Sequence, residues 1–113
     1  MIGPGLPMED FKMRVWLDDI KPAPDGWIRV KTAAEAISLL ENYEVDEISL
    51  DNDLGENQPE GYFVAEYIEE RVLNNNLTPP KIHIHTAKPI NRKRMEQIIK
   101  NIKRMEIIWN GKS

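Results

Sequence analysis

Four short runs rich in strand-forming residues punctuate this chain, and three of them lead into amphipathic stretches of helical length. "MRVWLDD" is compact, apolar and bounded by loop signals, so it reads as a buried strand. The proline-studded loop "IKPAPDG" separates it from "WIRVK", whose alternation of apolar and basic residues suits a strand near a sheet edge. "EISLD" and "KIHIHTA" are the third and fourth strands. The order is therefore β, β-α, β-α, β-α. Strands joined through helical segments of ten or more residues pair in parallel, with right-handed crossovers. The expected fold is a three-layer α/β domain with a central parallel sheet of four or five strands, order 2-1-3-4, covered on both faces.

The helical segments carry their own signals. Thr32 reads as an N-cap, with Glu35 three residues on completing a capping box, and Ala33, Ala36, Ile37 and Leu40 fall on one face. From Tyr62, the spacing of Phe63, Ile68 and Val72, with Tyr67 and Leu73 alongside, predicts a helix that stops at "NNN". Pro89 suits the start of the last helix, in which Met95, Ile98, Ile99, Ile102 and Met105 form an apolar stripe. "EIIW", residues 106–109, reads equally as a helical tail or a short fifth strand.

Composition narrows the function classes. At 113 residues, 41% of them hydrophobic, the chain has material for one domain and too little for two. It has no cysteine, which excludes disulfides, thiolate metal sites and cysteine nucleophiles. The opening "MIGPGLPMED" lacks the basic and apolar regions of a signal peptide, and no apolar run is long enough to span a bilayer. Residues 1–11 read as a flexible leader, residues 12–113 as the domain, and a cytoplasmic location is expected. The net charge of −4 hides an asymmetry. Residues 1–87 hold 7 Lys/Arg against 17 Asp/Glu, whereas residues 88–113 hold 8 against 2. A basic helix on an acidic body is usually a solvated face; the alternative is a docking surface for phosphate-bearing ligands.

Ligands of parallel α/β folds bind beyond the carboxyl ends of the strands. Asp18 and Asp19 end the first strand and Asp51 the third; in the order 2-1-3-4 these strands are neighbours. Adjacent like charges are unfavourable unless something positive offsets them. The bland reading, solvation at a strand end, is weakened by a third acid arriving from another strand. All-oxygen ligation of this kind suits Mg²⁺, Mn²⁺ or Ca²⁺ rather than zinc. Asp53 reads equally as a further ligand or as a cap for its own loop. His85 and Thr86 end the fourth strand and should flank the same pocket, Thr86 as a hydrogen-bond donor or a turn residue. His83, inside the strand, is expected to pack.

These residues resemble the response-regulator receiver domain. Asp18 and Asp19 match its metal-binding acids, Asp51 its phosphoacceptor and Thr86 its switch hydroxyl. Two features depart from it: no helix stands between strands one and two, and "KP" follows strand four at once rather than a fifth strand. A closer resemblance is to the cyclic-phosphate-processing receiver domain, a divergent offshoot of the flavodoxin-like receivers. It is carried by "WLDDIKPAP", "SLDNDLG", Gly61-Tyr62 and "HTAKP", spread over roughly residues 13–105. Lys88 stands where that family's pattern has Asn.

The resemblance implies a substrate class: cyclic phosphates such as cyclic nucleotides or RNA 2',3'-cyclic ends. No DNA or membrane partner is expected. The expected chemistry is metal-dependent phosphodiester hydrolysis. A divalent ion on Asp18, Asp19 and Asp51, with Asp53 in reach, would neutralise the phosphodiester. His85 would protonate the departing oxygen, and Lys88 and Arg92 would contact non-bridging oxygens. The rivals are a signalling receiver phosphorylated on Asp51 and a non-catalytic binder of a nucleotide, RNA end or protein.

Overall fold

A computed structural model describes residues 13–74, 76–86 and 91–111 of the chain. The leader at residues 1–11, Lys88 and Pro89 lie outside the described residues. The elements run β1 (Met13–Leu17), β2 (Ile28–Val30), α1 (Ala33–Asn42), β3 (Val45–Leu50), α2 (Tyr62–Leu73), β4 (Lys81–Ile84) and α3 (Arg92–Gly111). The four strands form one parallel sheet in the order β2-β1-β3-β4, as expected from the sequence. This is the receiver-like, flavodoxin-like α/β class. Helix α3 continues through Gly111, so residues 106–109 extend it and make no fifth strand. Among the described residues no helix is long and apolar enough to cross a membrane.

Strand residues alternate between two faces. Val15, Leu17, Ile48 and Leu50 are fully buried, in register across β1 and β3, and form a single core with α1, α2 and α3. The three helices lie side by side, α1 against α2 and α2 against α3. Crossover handedness explains the arrangement. The connections β2-α1-β3 and β3-α2-β4 step the same way along the sheet, so right-handed crossovers put their helices on one face. Only β1 to β2 steps the other way, and that connection is the proline-rich loop, with no helix. Among the described residues the third layer expected from the sequence is therefore not supplied by a helix.

Aromatic side chains cover part of the second face instead. The Trp27 ring reaches in from the edge at β2 and meets Trp16 edge-on at 6.0 Å and His83 at 6.4 Å. His83, expected to pack, is instead nearly half exposed, and its Nε2 lies 2.7 Å from a Glu47 carboxylate oxygen. Among the described residues no helix packs over this face, and at His83 the ring is met by Trp27 and Glu47 rather than enclosed.

Helix α1 carries the predicted capping box: Thr32 Oγ1 accepts from the Glu35 N–H, and the Glu35 carboxylate accepts from the Thr32 N–H. Thr32→Ala should lower stability by about 1 kcal/mol, measured by denaturant titration, while Thr32→Ser should lower it less. In α2 the buried face is Val64, Ala65, Ile68 and Val72, whereas Phe63 and Leu73 are exposed. The sequence-based phase followed the largest apolar residues. The true phase is set where α2 begins, because Gly61 is pressed against the end of β3.

Candidate metal and phosphate site

The sheet's hydrogen-bond ladder runs one residue beyond three of its strands. The N–H groups of Asp18, Asp51 and His85 donate to the carbonyls of Val30, Leu17 and Leu50, each at 3.0 Å. The three residues are thereby fixed at one level across β1, β3 and β4, all with the parity of the second face. One ligand atom from each lies within 4.8 Å of the other two. Of the acids expected to converge, Asp18 and Asp51 are brought together in this way, with His85 beside them, while Asp19 is not one of the three.

Asp18 is almost fully buried. Its Oδ1 accepts from the N–H groups of Ile20 and Lys21 at 2.9 and 2.8 Å, folding the loop back over the strand end. Its Oδ2 lies 3.0 Å from His85 Nε2. Burial pushes the Asp18 carboxyl upward, but the two backbone donors and His85 outweigh it, and the net shift is below the ordinary carboxylate value. Its contribution to folding is thus complete above the usual carboxylate pKa and is lost as pH falls through the lowered one.

His85 is held on three sides. Nδ1 lies 2.7 Å from Ser49 Oγ, Nε2 faces Asp18, and the Trp16 ring stacks on it at 3.9 Å, within 6° of parallel. Ser49 and Trp16 were not singled out in the sequence, although both stand two residues before a singled-out aspartate and share its face by period two.

A cleft of about 270 Å³ opens above this level, lined by Asp19, Ile20, Lys21, Asp51, Asp53, Gly55, His85 and Thr86. A larger groove, about 570 Å³, runs between β4 and α3, but its apolar wall is Pro79, Pro80, Ile82, Ile99 and Ile102, with no comparable convergence of acids. Asp19 Oδ1 is buried with no hydrogen-bond partner among the described residues. A carboxylate oxygen in that condition is costly unless a cation approaches it. The ligand atoms of Asp18, Asp51 and His85, with this Asp19 oxygen at the same cleft, make a donor set that fits a divalent ion.

The remaining expected residues divide. Asp53 lines the cleft and also accepts from the Gly55 N–H at 3.2 Å, so it fastens its own loop while facing the site. Thr86 lines the cleft and is buried. Arg92 turns towards the Thr86 carbonyl, 3.3 Å from Nη1, and towards Glu96, 3.5 Å from Nε. Lys88 falls outside the described residues. Lys21 was missed because only the fold of the proline-rich loop brings it to the cleft. Also missed was a clamp beneath it: the Glu60 carboxylate accepts from the side-chain amides of Asn52 and Asn91 at 2.9 and 3.0 Å, tying the loop after β3 to the start of α3.

A parallel β2-β1-β3-β4 sheet with acids converging at its carboxyl edge defines a receiver-like domain. The profile of the cyclic-phosphate processing receiver domain matches residues 13–101, and the chain belongs to that family. A solved structure similar to this chain is that of the MaeR response regulator bound to beryllium trifluoride, at 14% identity, covering 81% of this chain and 98% of the other, with a TM-score of 0.48. No curated protein matches the chain.

Proposed function

We propose that this domain opens a cyclic phosphate by metal-dependent phosphodiester hydrolysis, the substrate being a cyclic nucleotide or an RNA 2',3'-cyclic end. The observation that carries the reading is the convergence of Asp18, Asp51 and His85 at the mouth of a small cleft, beside an Asp19 oxygen that has no partner among the described residues. A divalent cation, when bound, supplies charge neutralisation and a more acidic water. Asp18, Asp19 and Asp51 hold it, with Asp53 at the rim. Thr86 and Lys21 line the cleft where they can meet non-bridging oxygens. Proton delivery from His85 to the leaving oxygen requires its Nε2 to part from Asp18, because both ring nitrogens are engaged.

A second reading has its own observation: Asp51 and Thr86 border the same cleft, as a phosphoacceptor and switch hydroxyl must. One panel separates the readings. Cyclic mononucleotides, cyclic dinucleotides and 2',3'-cyclic-ended RNA are incubated at catalytic protein concentration with Mg²⁺, Mn²⁺ or EDTA. Multiple turnover that EDTA abolishes is the expected result. No turnover, together with an acyl-phosphate adduct on Asp51 after treatment with a phosphodonor, replaces hydrolysis with signalling. Saturable substrate binding with neither outcome replaces it with a non-catalytic binder.

A further inference from the structure

The receiver pattern of three acids would make an all-oxygen cation site, yet a nitrogen stands among the oxygens here. We infer that His85 Nε2 is itself a cation ligand, so that the site is a mixed nitrogen and oxygen centre selective for a first-row transition cation such as Mn²⁺ or Zn²⁺ over Mg²⁺. This rests on the reading that the cleft binds a cation; it adds the ligand set and the metal class, and it takes from His85 the proton-donor role given above, leaving that proton to water.

Three observations support it. First, His85 Nε2 and Asp18 Oδ2 are 3.0 Å apart, which is the spacing of two adjacent ligands on one cation with bonds of roughly 2.1 Å. Asp51 offers an oxygen within 4.8 Å of both, close to the width of one coordination sphere. Second, the other ring nitrogen is provided for. Metal-ligating histidines donate their second N–H to a fixed acceptor, which sets the tautomer and ring orientation. Ser49 Oγ, buried beneath the ring at 2.7 Å from Nδ1, is placed to accept that proton and leave the Nε2 lone pair directed at the carboxylates. The parallel Trp16 ring at 3.9 Å blocks rotation out of this pose. Third, Asp19 Oδ1 is buried at the edge of the same cleft with no hydrogen-bond partner among the described residues.

The rival arrangement is a protonated His85 paired with Asp18, leaving an all-oxygen site. The two differ in chemistry, because imidazole favours later first-row cations whereas Mg²⁺ prefers oxygen and water. Ser49 is a positioning residue in the first arrangement and of no consequence to metal choice in the second.

The test loads the full chain with Mn²⁺ and records its electron spin-echo modulation. Modulation from a directly coordinated ¹⁴N is expected in the parent and absent from His85→Gln. In parallel, calorimetric titration with Mn²⁺ and with Mg²⁺ should show the Mn²⁺ preference falling at least about tenfold in Ser49→Ala. The Ser49 variant keeps the test decisive should His85→Gln fail to fold. Tight Mn²⁺ binding without nitrogen modulation, or an unchanged preference in Ser49→Ala, overturns the inference and leaves the proposed function standing. Failure of every divalent cation to bind overturns both.

Discussion

Asp51→Asn should raise the melting temperature of the metal-free protein and at the same time abolish its response to metal. Both effects have one cause. Asp51 and Asp18 each bring a ligand oxygen to within 4.8 Å of the other, so without a cation their charges repel, and removing one relieves the folded state. With a cation bound, the same charge is the attraction. At a concentration one hundred times the dissociation constant, ligation stabilises the folded chain by about 2.7 kcal/mol, roughly 10 °C for a domain of this size. The substitution should remove most of that rise and cut turnover of the best cyclic phosphate at least roughly 100-fold. Thermal scans of parent and variant, with metal and with EDTA, check the first part; initial rates check the second. A variant that keeps the full metal-induced rise removes Asp51 from the site. A variant that loses stability in EDTA shows that the charge-assisted form of the hydrogen bond from the Asn52 N–H, at 2.8 Å, which an amide oxygen accepts more weakly, outweighs the repulsion.

Gly61→Ala should destabilise the fold by about 3 kcal/mol or more, a large effect for one methyl group. Gly61 has φ −62° and ψ −24°, angles that alanine adopts without strain, so the backbone gives no warning. The obstacle is space. A Cβ built there would lie 1.8 Å from the carbonyl oxygen of Asp51 and 2.9 Å from its carbon. No side-chain rotation relieves a clash between two backbones, so either α2 backs away or the Asp51 peptide moves. The first opens the core at Val64 and Ala65; the second displaces a site carboxylate. Denaturant unfolding measures the stability loss, and the metal-induced rise in melting temperature measures displacement of the site. A Gly61→Ala protein as stable as the parent would mean that the start of α2 is not seated against β3 as described.

The parallel sheet and its strand order were legible because they depend on local periodicity and chain connectivity, both written along the sequence. The runs that hold Val15, Leu17, Ile48 and Leu50 are short, rich in strand-forming residues and bounded by loop signals, and each long crossover demands a parallel partner. The acids were legible for the same reason: a carboxylate that ends a strand keeps its address once the strand order is known. The capping box of Thr32 and Glu35 is more local still, complete within four residues.

Tertiary structure decided what depends on contacts between distant segments. The phase of α2 followed from Gly61 meeting Asp51, ten residues away, so Val64 and Ala65 are buried and Phe63 is not. Covering of the second sheet face depended on a loop rather than a helix, and a loop announces no periodicity from which its path can be read. That path brought Lys21 to the cleft and the Trp27 ring close to His83. The state of His85 was decided in the same way. Its type and its place at a strand end were plain from the sequence. Its engagement by Ser49, 36 residues away, and by Asp18, 67 residues away, exists only once β1, β3 and β4 are side by side. A strand end assigns a residue to an edge by counting along the chain, whereas the partners that set its chemistry are chosen by the distance between strands.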